Sequence, residues 1–248
     1  MKLTVASLNV QGFFGWDDRK SNIINYLTDT DADIVLFQEV TFLPQIASYN
    51  QVQLLNQTLA YPYENSAVTR LQESPHYENY REGLGVISKW PIRKSETLIL
   101  KQQKGDEHQR IVQLIDVECQ NTVVKFANVH FSISDNDESF PRNHLNELLT
   151  ILQARGETRI IGGDFNMNDI DQHADLWNEH YTSSSITPYV TYPDMNKRVD
   201  YFLLPKAYNF LDVTTSPDGL SDHRALTVTA GIPVARKPLL RRFSYQLR

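Results

Sequence analysis

Ile160-Ile161-Gly162-Gly163-Asp164-Phe165-Asn166 is the stretch on which the reading of this fold turns. Two β-branched apolar residues lead into paired glycines, and a carboxylate and an amide follow at once. That order predicts a buried strand ending in polar chemistry rather than fading into a surface loop. Asp164 and Asn166 lie two apart, so in an extended segment both side chains share a face. The glycines let other backbone come close, although Gly-Gly is also ordinary turn chemistry.

The same pattern recurs along the chain. A strand over residues 3–10 passes from Leu8 to Asn9, and the apolar run 34–37 stops at Gln38-Glu39. Phe126 precedes Asn128 and His130, Val199 precedes Asp200, and Leu220 precedes Ser221-Asp222-His223. Each has a local explanation, because Asn and Asp favour strand ends through backbone hydrogen bonds. Six together predict strand ends converging on one site.

Between these ends, Gly12 and Gly15 break the chain, and Asp17 or Asp18 can cap a helix carrying Ile23, Ile24 and Leu27 on one face. The opening therefore reads strand–helix–strand. Residues 141–155 form the clearest helix, with Leu145, Leu148, Leu149 and Leu152 at helical spacing. Further strands are expected over 85–88, 110–117, 123–129, 159–161, 199–204 and 225–230. Strands outnumber the two or three helices, which favours an α+β mixed-sheet sandwich flanked by helices over a pure parallel sheet. Residues 61–81, polar and rich in tyrosine, read as a long surface excursion. The whole chain, 1–248, reads as a single domain with a basic tail over 232–248, a solvated end docked by its aromatics or a phosphate- or partner-facing segment.

Composition narrows the function. The chain has 248 residues, 41% hydrophobic and 22% charged, which excludes a disordered protein. One cysteine, Cys119, excludes an internal disulfide framework and a Cys-based zinc site. With 24 Lys+Arg against 30 Asp+Glu the net charge is −6, so no strongly basic global field exists for gripping nucleic acid. The longest apolar runs fall far short of the roughly 20 residues of a membrane span. The N-terminus lacks a signal-peptide pattern, so a cytoplasmic protein is expected, with a monomer as the default.

Carboxylate and amide oxygens without thiolates suit Mg²⁺ or Mn²⁺ rather than zinc. Asn9, Glu39 and Asp222 are the candidate ligands. Asp164 could take a proton from water while Asn166 donates to a phosphoryl oxygen. His130 emerges at the end of an apolar stripe. His223 would need a carboxylate to fix its tautomer, and Asp200 is the candidate. His108, His144, His173 and His180 read as structural.

Read in order, Ser7-Leu8-Asn9-Val10, Phe37-Gln38-Glu39-Val40, Gly85-Val86-Ile87-Ser88 with Trp90-Pro91-Ile92, Asn128-Val129-His130-Phe131, Gly162-Gly163-Asp164-Phe165-Asn166, Arg198-Val199-Asp200-Tyr201 and Ser221-Asp222-His223 resemble the endonuclease/exonuclease/phosphatase superfamily, with its deoxyribonuclease I-like fold. The resemblance implies a four-layer α/β/β/α sandwich of two largely antiparallel sheets and Mg²⁺-dependent cleavage of a phosphoester by water. It casts Glu39 as the principal metal ligand, with Asn9 and Asp222 completing its environment. Asp164 would orient or deprotonate water, Asn166 and His130 would hydrogen-bond the phosphoryl oxygens, and His223, oriented by Asp200, would contact the phosphate. Where abasic-site endonucleases carry a tyrosine motif, this chain has Asn128-Val129-His130-Phe131-Ser132, which argues against that activity. A phosphodiesterase, with nuclease activity as one form, is expected. The alternatives are a small-molecule or lipid phosphatase of sphingomyelinase-like type and an inactive phosphate-ligand binding module. The partner is accordingly a phosphoester on nucleic acid, a small molecule or a lipid headgroup.

Overall fold

A computed structural model describes residues 1–72, 79–134 and 137–233. Its elements run β1 (Lys2–Asn9), α1 (Trp16–Thr30), β2 (Ile34–Phe42), α2 (Gln51–Leu59), β3 (Tyr63–Gln72), β4 (Tyr80–Ser88), β5 (Ile92–Ile99), β6 (Ile111–Cys119), β7 (Thr122–His130), α3 (Ser139–Ala154), β8 (Ile160–Asp164), α4 (Ala174–Trp177), β9 (Tyr181–Ser183), β10 (Asp200–Pro205), β11 (Asn209–Thr215) and β12 (Leu226–Gly231). Two six-stranded sheets result, β11-β12-β1-β2-β4-β3 and β5-β6-β7-β8-β10-β9. Each contains one parallel pair, β1 with β2 and β7 with β8, in an otherwise antiparallel ladder. Parallel neighbours need a crossover, and α1 and α3 supply the two required.

Side-chain alternation builds the layers. Leu3, Val5, Ile34 and Leu36 point inward and pack against Ile115, Phe126, Ile160 and Phe202 of the other sheet. Their neighbours Ala6, Leu8, Val35 and Phe37 point outward, against Ile23 and Leu27 of α1 and Val52 and Leu55 of α2. Leu145, Leu148 and Leu152 of α3 cover Val112, Ala127, Val129 and Ile161 on the far side. Central strands buried on both faces explain the continuous apolar runs. The expected helix–sheet–sheet–helix sandwich is what forms. No described helix is long and apolar enough to cross a membrane.

Several expectations need correction. Residues 61–81 are not an excursion: β3 and the start of β4 lie within them, leaving residues 73–78 outside the description. β3, β5, β9 and β11 were not foreseen, and all four are sheet edges. Edge strands face solvent and carry polar residues that protect them from stray pairing, so their apolar signal is weak. β2 does not stop at Gln38-Glu39 but runs to Phe42 through a register shift between Phe37 and Val40. α1 is entered through left-handed Gly15 without a side-chain cap, and Asp17 and Asp18 lie in its first turn, where the helix dipole favours them. Of the basic tail, residues 234–248 lie outside the described residues.

Two tests follow from the packing. Gly163 has φ 144°, and a Cβ there would meet the Val129 carbonyl oxygen at 2.0 Å. Gly163→Ala should cost about 3 kcal/mol or more, read from urea unfolding. Cys119 is buried, and burial, aided by the Asp33 charge, pushes its thiol up to about 12. At pH 8 only about one thiol in ten thousand is then ionised, so iodoacetamide should leave the native protein unmodified and alkylate it after unfolding.

Candidate active site

The β2 bulge creates the first requirement of the site. Glu39 adopts a left-handed backbone, φ 53°, and the ladder to β4 loses its register there. Asn128 crosses over from β7 of the other sheet and donates to the Phe37 carbonyl at 3.1 Å and the Gly85 carbonyl at 3.0 Å. Its own oxygen accepts from Gln38 Nε2 at 2.8 Å, and Gln38 also reaches Ser7 Oγ at 3.1 Å. Asn128, Phe37, Gly85, Gln38 and Ser7, which supply these groups, are all buried, so the network is dry. It ties β1, β2 and β4 to β7 directly beneath the bulge.

Above this tie, the strand ends of both sheets meet. Asn9 Nδ2 donates to Glu39 Oε1 at 3.0 Å and to Asp164 Oδ2 at 3.1 Å, so one amide joins acids from the two sheets. His130 Nε2 lies 3.6 Å from Asp164 Oδ2 and 4.0 Å from Glu39 Oε1. His223 Nδ1 lies 2.8 Å from Asp200 Oδ2, and its Nε2 3.8 Å from Asp164 Oδ2. The loop bearing Asp222 and His223 is pinned by Ser221 Oγ, which donates to the Asn9 carbonyl at 2.6 Å and accepts the His223 N–H at 2.8 Å. Glu39, His130, Asp164, Asn166, Asp222 and His223 line one cavity of about 810 Å³. Asn9 and Asp200 sit buried in contact with those lining groups.

The two imidazoles are held in opposite states. Burial alone would lower His223, but the charges of Asp200 and Asp164 outweigh it and raise the group to about 10. His223 is therefore an imidazolium at neutral pH. Burial, reinforced by the Arg110 guanidinium, holds His130 well below its ordinary value. Arg110 Nη1 lies 3.0 Å from His130 Nδ1, and a guanidinium can only donate. Nδ1 must then accept, which puts the single imidazole proton on Nε2, facing Asp164 and Glu39.

The acids indicate what the site could hold. Burial raises Glu39, Asp164 and Asp222 above the usual carboxylate range, with Glu82 adding to the first and Asp200 to the second. Asp222 Oδ1 is buried with no hydrogen-bond partner among the described residues. Crowded hard oxygens with an unspent acceptor fit a small divalent cation. A second grouping, Asp164, Asp200 and His223, has its potential ligand atoms within 4.8 Å of one another. There the short His223–Asp200 contact places a proton between the two groups, and the set reads as a charged dyad beside an acid. Asn9 offers its amide N–H to the acids while its oxygen accepts from Gln11 N–H at 3.0 Å, so it holds carboxylates in place.

Asn166 departs from the extended geometry expected for it. Its backbone is left-handed, φ 52°, its N–H donates to Asp164 Oδ1 at 2.9 Å, and its amide donates to the Phe131 carbonyl at 2.9 Å. It reaches the cavity wall as part of a turn that also orients Asp164. Of the histidines read as structural, His144 is buried near Asp106 and His173 contacts Glu138, while His108 and His173 both touch the cavity. Sequence reasoning missed Arg110, Tyr192, whose ring lies 5.1 Å from that of His223, and the Asn128–Gln38 pair. Asn128→Leu keeps the branched outline of the side chain but strips partners from two backbone carbonyls and Gln38. It should cost about 3 kcal/mol in urea unfolding.

Solved structures share this architecture. An endonuclease/exonuclease/phosphatase from Beutenbergia cavernae DSM 12333 matches with a TM-score of 0.74 at 18% identity, over 94% of this chain and 73% of that one. A family protein from Leptotrichia buccalis C-1013-b matches with 0.74 at 16% identity, over 94% and 100%. The human Nocturnin catalytic domain with bound sulfate matches with 0.70 at 18% identity, over 94% and 95%. At such identities the likeness establishes the fold. No curated protein matches the chain. The sequence model of the Endonuclease/Exonuclease/phosphatase family matches residues 6–223, a span holding every residue of the site, and the chain belongs to that family.

Proposed function

We propose that the protein is a Mg²⁺- or Mn²⁺-dependent phosphodiesterase that cleaves its substrate with water. The observation that carries this reading is the Asn9 amide bridging Glu39 and Asp164 between an imidazolium and a neutral imidazole. Glu39 and Asp222 would hold the cation, with Asn9 fixing the Glu39 carboxylate. Bound there, the cation would offset the negative charge of the acids and draw electron density from a phosphoryl oxygen.

The chain's own groups divide the remaining work. Asp164 receives hydrogen bonds on both oxygens, from Asn9 and from the Asn166 backbone, which fixes its orientation. Its burial makes it a stronger base than a surface carboxylate, suited to take the proton of the attacking water. His223, charged and steadied by Asp200, offers Nε2–H to a phosphoryl oxygen, and neutral His130 offers its own Nε2–H from the opposite sheet. Both donors gain strength as charge builds on the phosphoryl group, and the rigid setting removes the cost of reorganising them. Asn166 keeps Asp164 and the Phe131 turn in register and leaves one amide hydrogen for the substrate.

Hydrolysis of bis-(p-nitrophenyl) phosphate tests the proposal. Activity should require Mg²⁺ or Mn²⁺, vanish in EDTA and return on adding metal. Asp164→Ala and His223→Ala should each lower kcat by about 10²-fold or more. Turnover that survives EDTA, or that is undiminished in both variants, would overturn the assignment.

A further inference from the structure

One wall of the cavity is cationic, and the chemistry above does not use all of it. Arg110, the residue before β6, is only 4% exposed; its Nε donates to Ser132 Oγ at 3.2 Å and its Nη1 to His130. Arg70, in edge strand β3, pairs through Nη2 with Glu82 Oε1 at 3.1 Å. Its Nε and Nη1 are buried without a hydrogen-bond partner among the described residues. Arg70 lies in one sheet and Arg110 directly before β6 of the other, and Thr69 Oγ1 holds their backbones side by side by donating to the Gln109 carbonyl at 2.7 Å. Both arginines line the cavity that contains Glu39, Asp164 and His223.

Like charges on a buried and a largely buried guanidinium repel, and each buried donor left unpaired is costly. Burial first, and then the Arg70 charge, lower Arg110, with Glu82 acting in the opposite direction. Glu82 makes the one direct ion pair with either arginine among the described residues. Arg110 is held by His130 and Ser132, so its position is fixed, while Arg70 retains donors. Planar guanidiniums suit phosphate oxygens, which accept several hydrogen bonds and carry the opposite charge. The His130 ring stands between Arg110 on its Nδ1 side and Asp164 and Glu39 on its Nε2 side, so an anion seated at Arg110 lies next to the reacting group rather than on it.

We propose that Arg70 and Arg110 form a subsite for a second phosphate group of the substrate, adjacent to the phosphoester that is cleaved. This rests on the phosphodiesterase reading and narrows it to substrates carrying two neighbouring phosphates. A simple diester lacks the second anion and forgoes the guanidinium contacts.

Thymidine 3′-(p-nitrophenyl phosphate), with and without a 5′-phosphate, supplies the test in the presence of Mn²⁺. The 5′-phosphorylated ester should be cleaved with kcat/KM about tenfold or more above the 5′-hydroxyl ester. Arg70→Gln should bring that ratio close to one, and Arg70→Lys, which keeps the charge but not the fork, should give an intermediate ratio. Thermal melts check that both variants fold, and if the Gln variant does not, the Lys variant decides. A ratio near one in the unaltered protein, or one unchanged in the variants, overturns the subsite while leaving the phosphodiesterase in place. Calorimetry with inorganic phosphate in EDTA separates the two ideas when neither ester is cleaved. Phosphate binding weakened about tenfold by Arg70→Gln then upholds the subsite and removes the activity, whereas equal binding, or none, removes the subsite too.

Discussion

The site depends on the buried tie between Asn128 and Gln38. Apolar packing between two sheets is non-directional and leaves them free to settle in several relative positions. The geometry of the site tolerates no such freedom, because Glu39 comes from one sheet and Asp164 and His130 from the other. Hydrogen bonds buried in a dry interior are directional and costly to break, so a single amide spanning the layers selects one alignment. The bulge at Glu39 and the amide that fills it are two halves of one device: the distortion aims the carboxylate, and the crossing side chain satisfies what the distortion exposes.

Charge is partitioned with the same economy. The acids crowd around Asn9, the imidazolium stands beside them with Asp200 behind it, and the Arg110 guanidinium occupies the far side of His130. One histidine is charged by carboxylates against its burial, and the other is kept neutral by burial and an arginine. Two residues of identical type thus come to differ in charge through their surroundings, in a protein whose overall charge is modestly negative.

Much of this was legible in the sequence. Asn9, Glu39, His130, Asp164, Asp200, Asp222 and His223 stood out because polar groups directly after apolar runs are conspicuous, and all of them gather at one end of the sandwich. The central strands and α3 were legible because burial imposes a pattern. β3, β5, β9 and β11 were not, since an edge strand with one wet face carries little pattern. Arg70 and Arg110 sit in strand and loop as isolated cations, and only the meeting of the two sheets makes them neighbours. Asn166 was placed on the right surface by the wrong geometry: a left-handed turn, not an extended segment, brings it there.

The pairing of β1 with β12 joins Leu3 to Ala230, and the Met1 amino group reaches the Ile232 carbonyl at 2.8 Å. On the ribosome the first strand therefore emerges long before its partner, and Asp222 and His223 arrive with that partner. A nascent chain short of this point has an open edge at β1 and an incomplete set of reactive groups. The site is therefore completed only once synthesis has passed the closing strand.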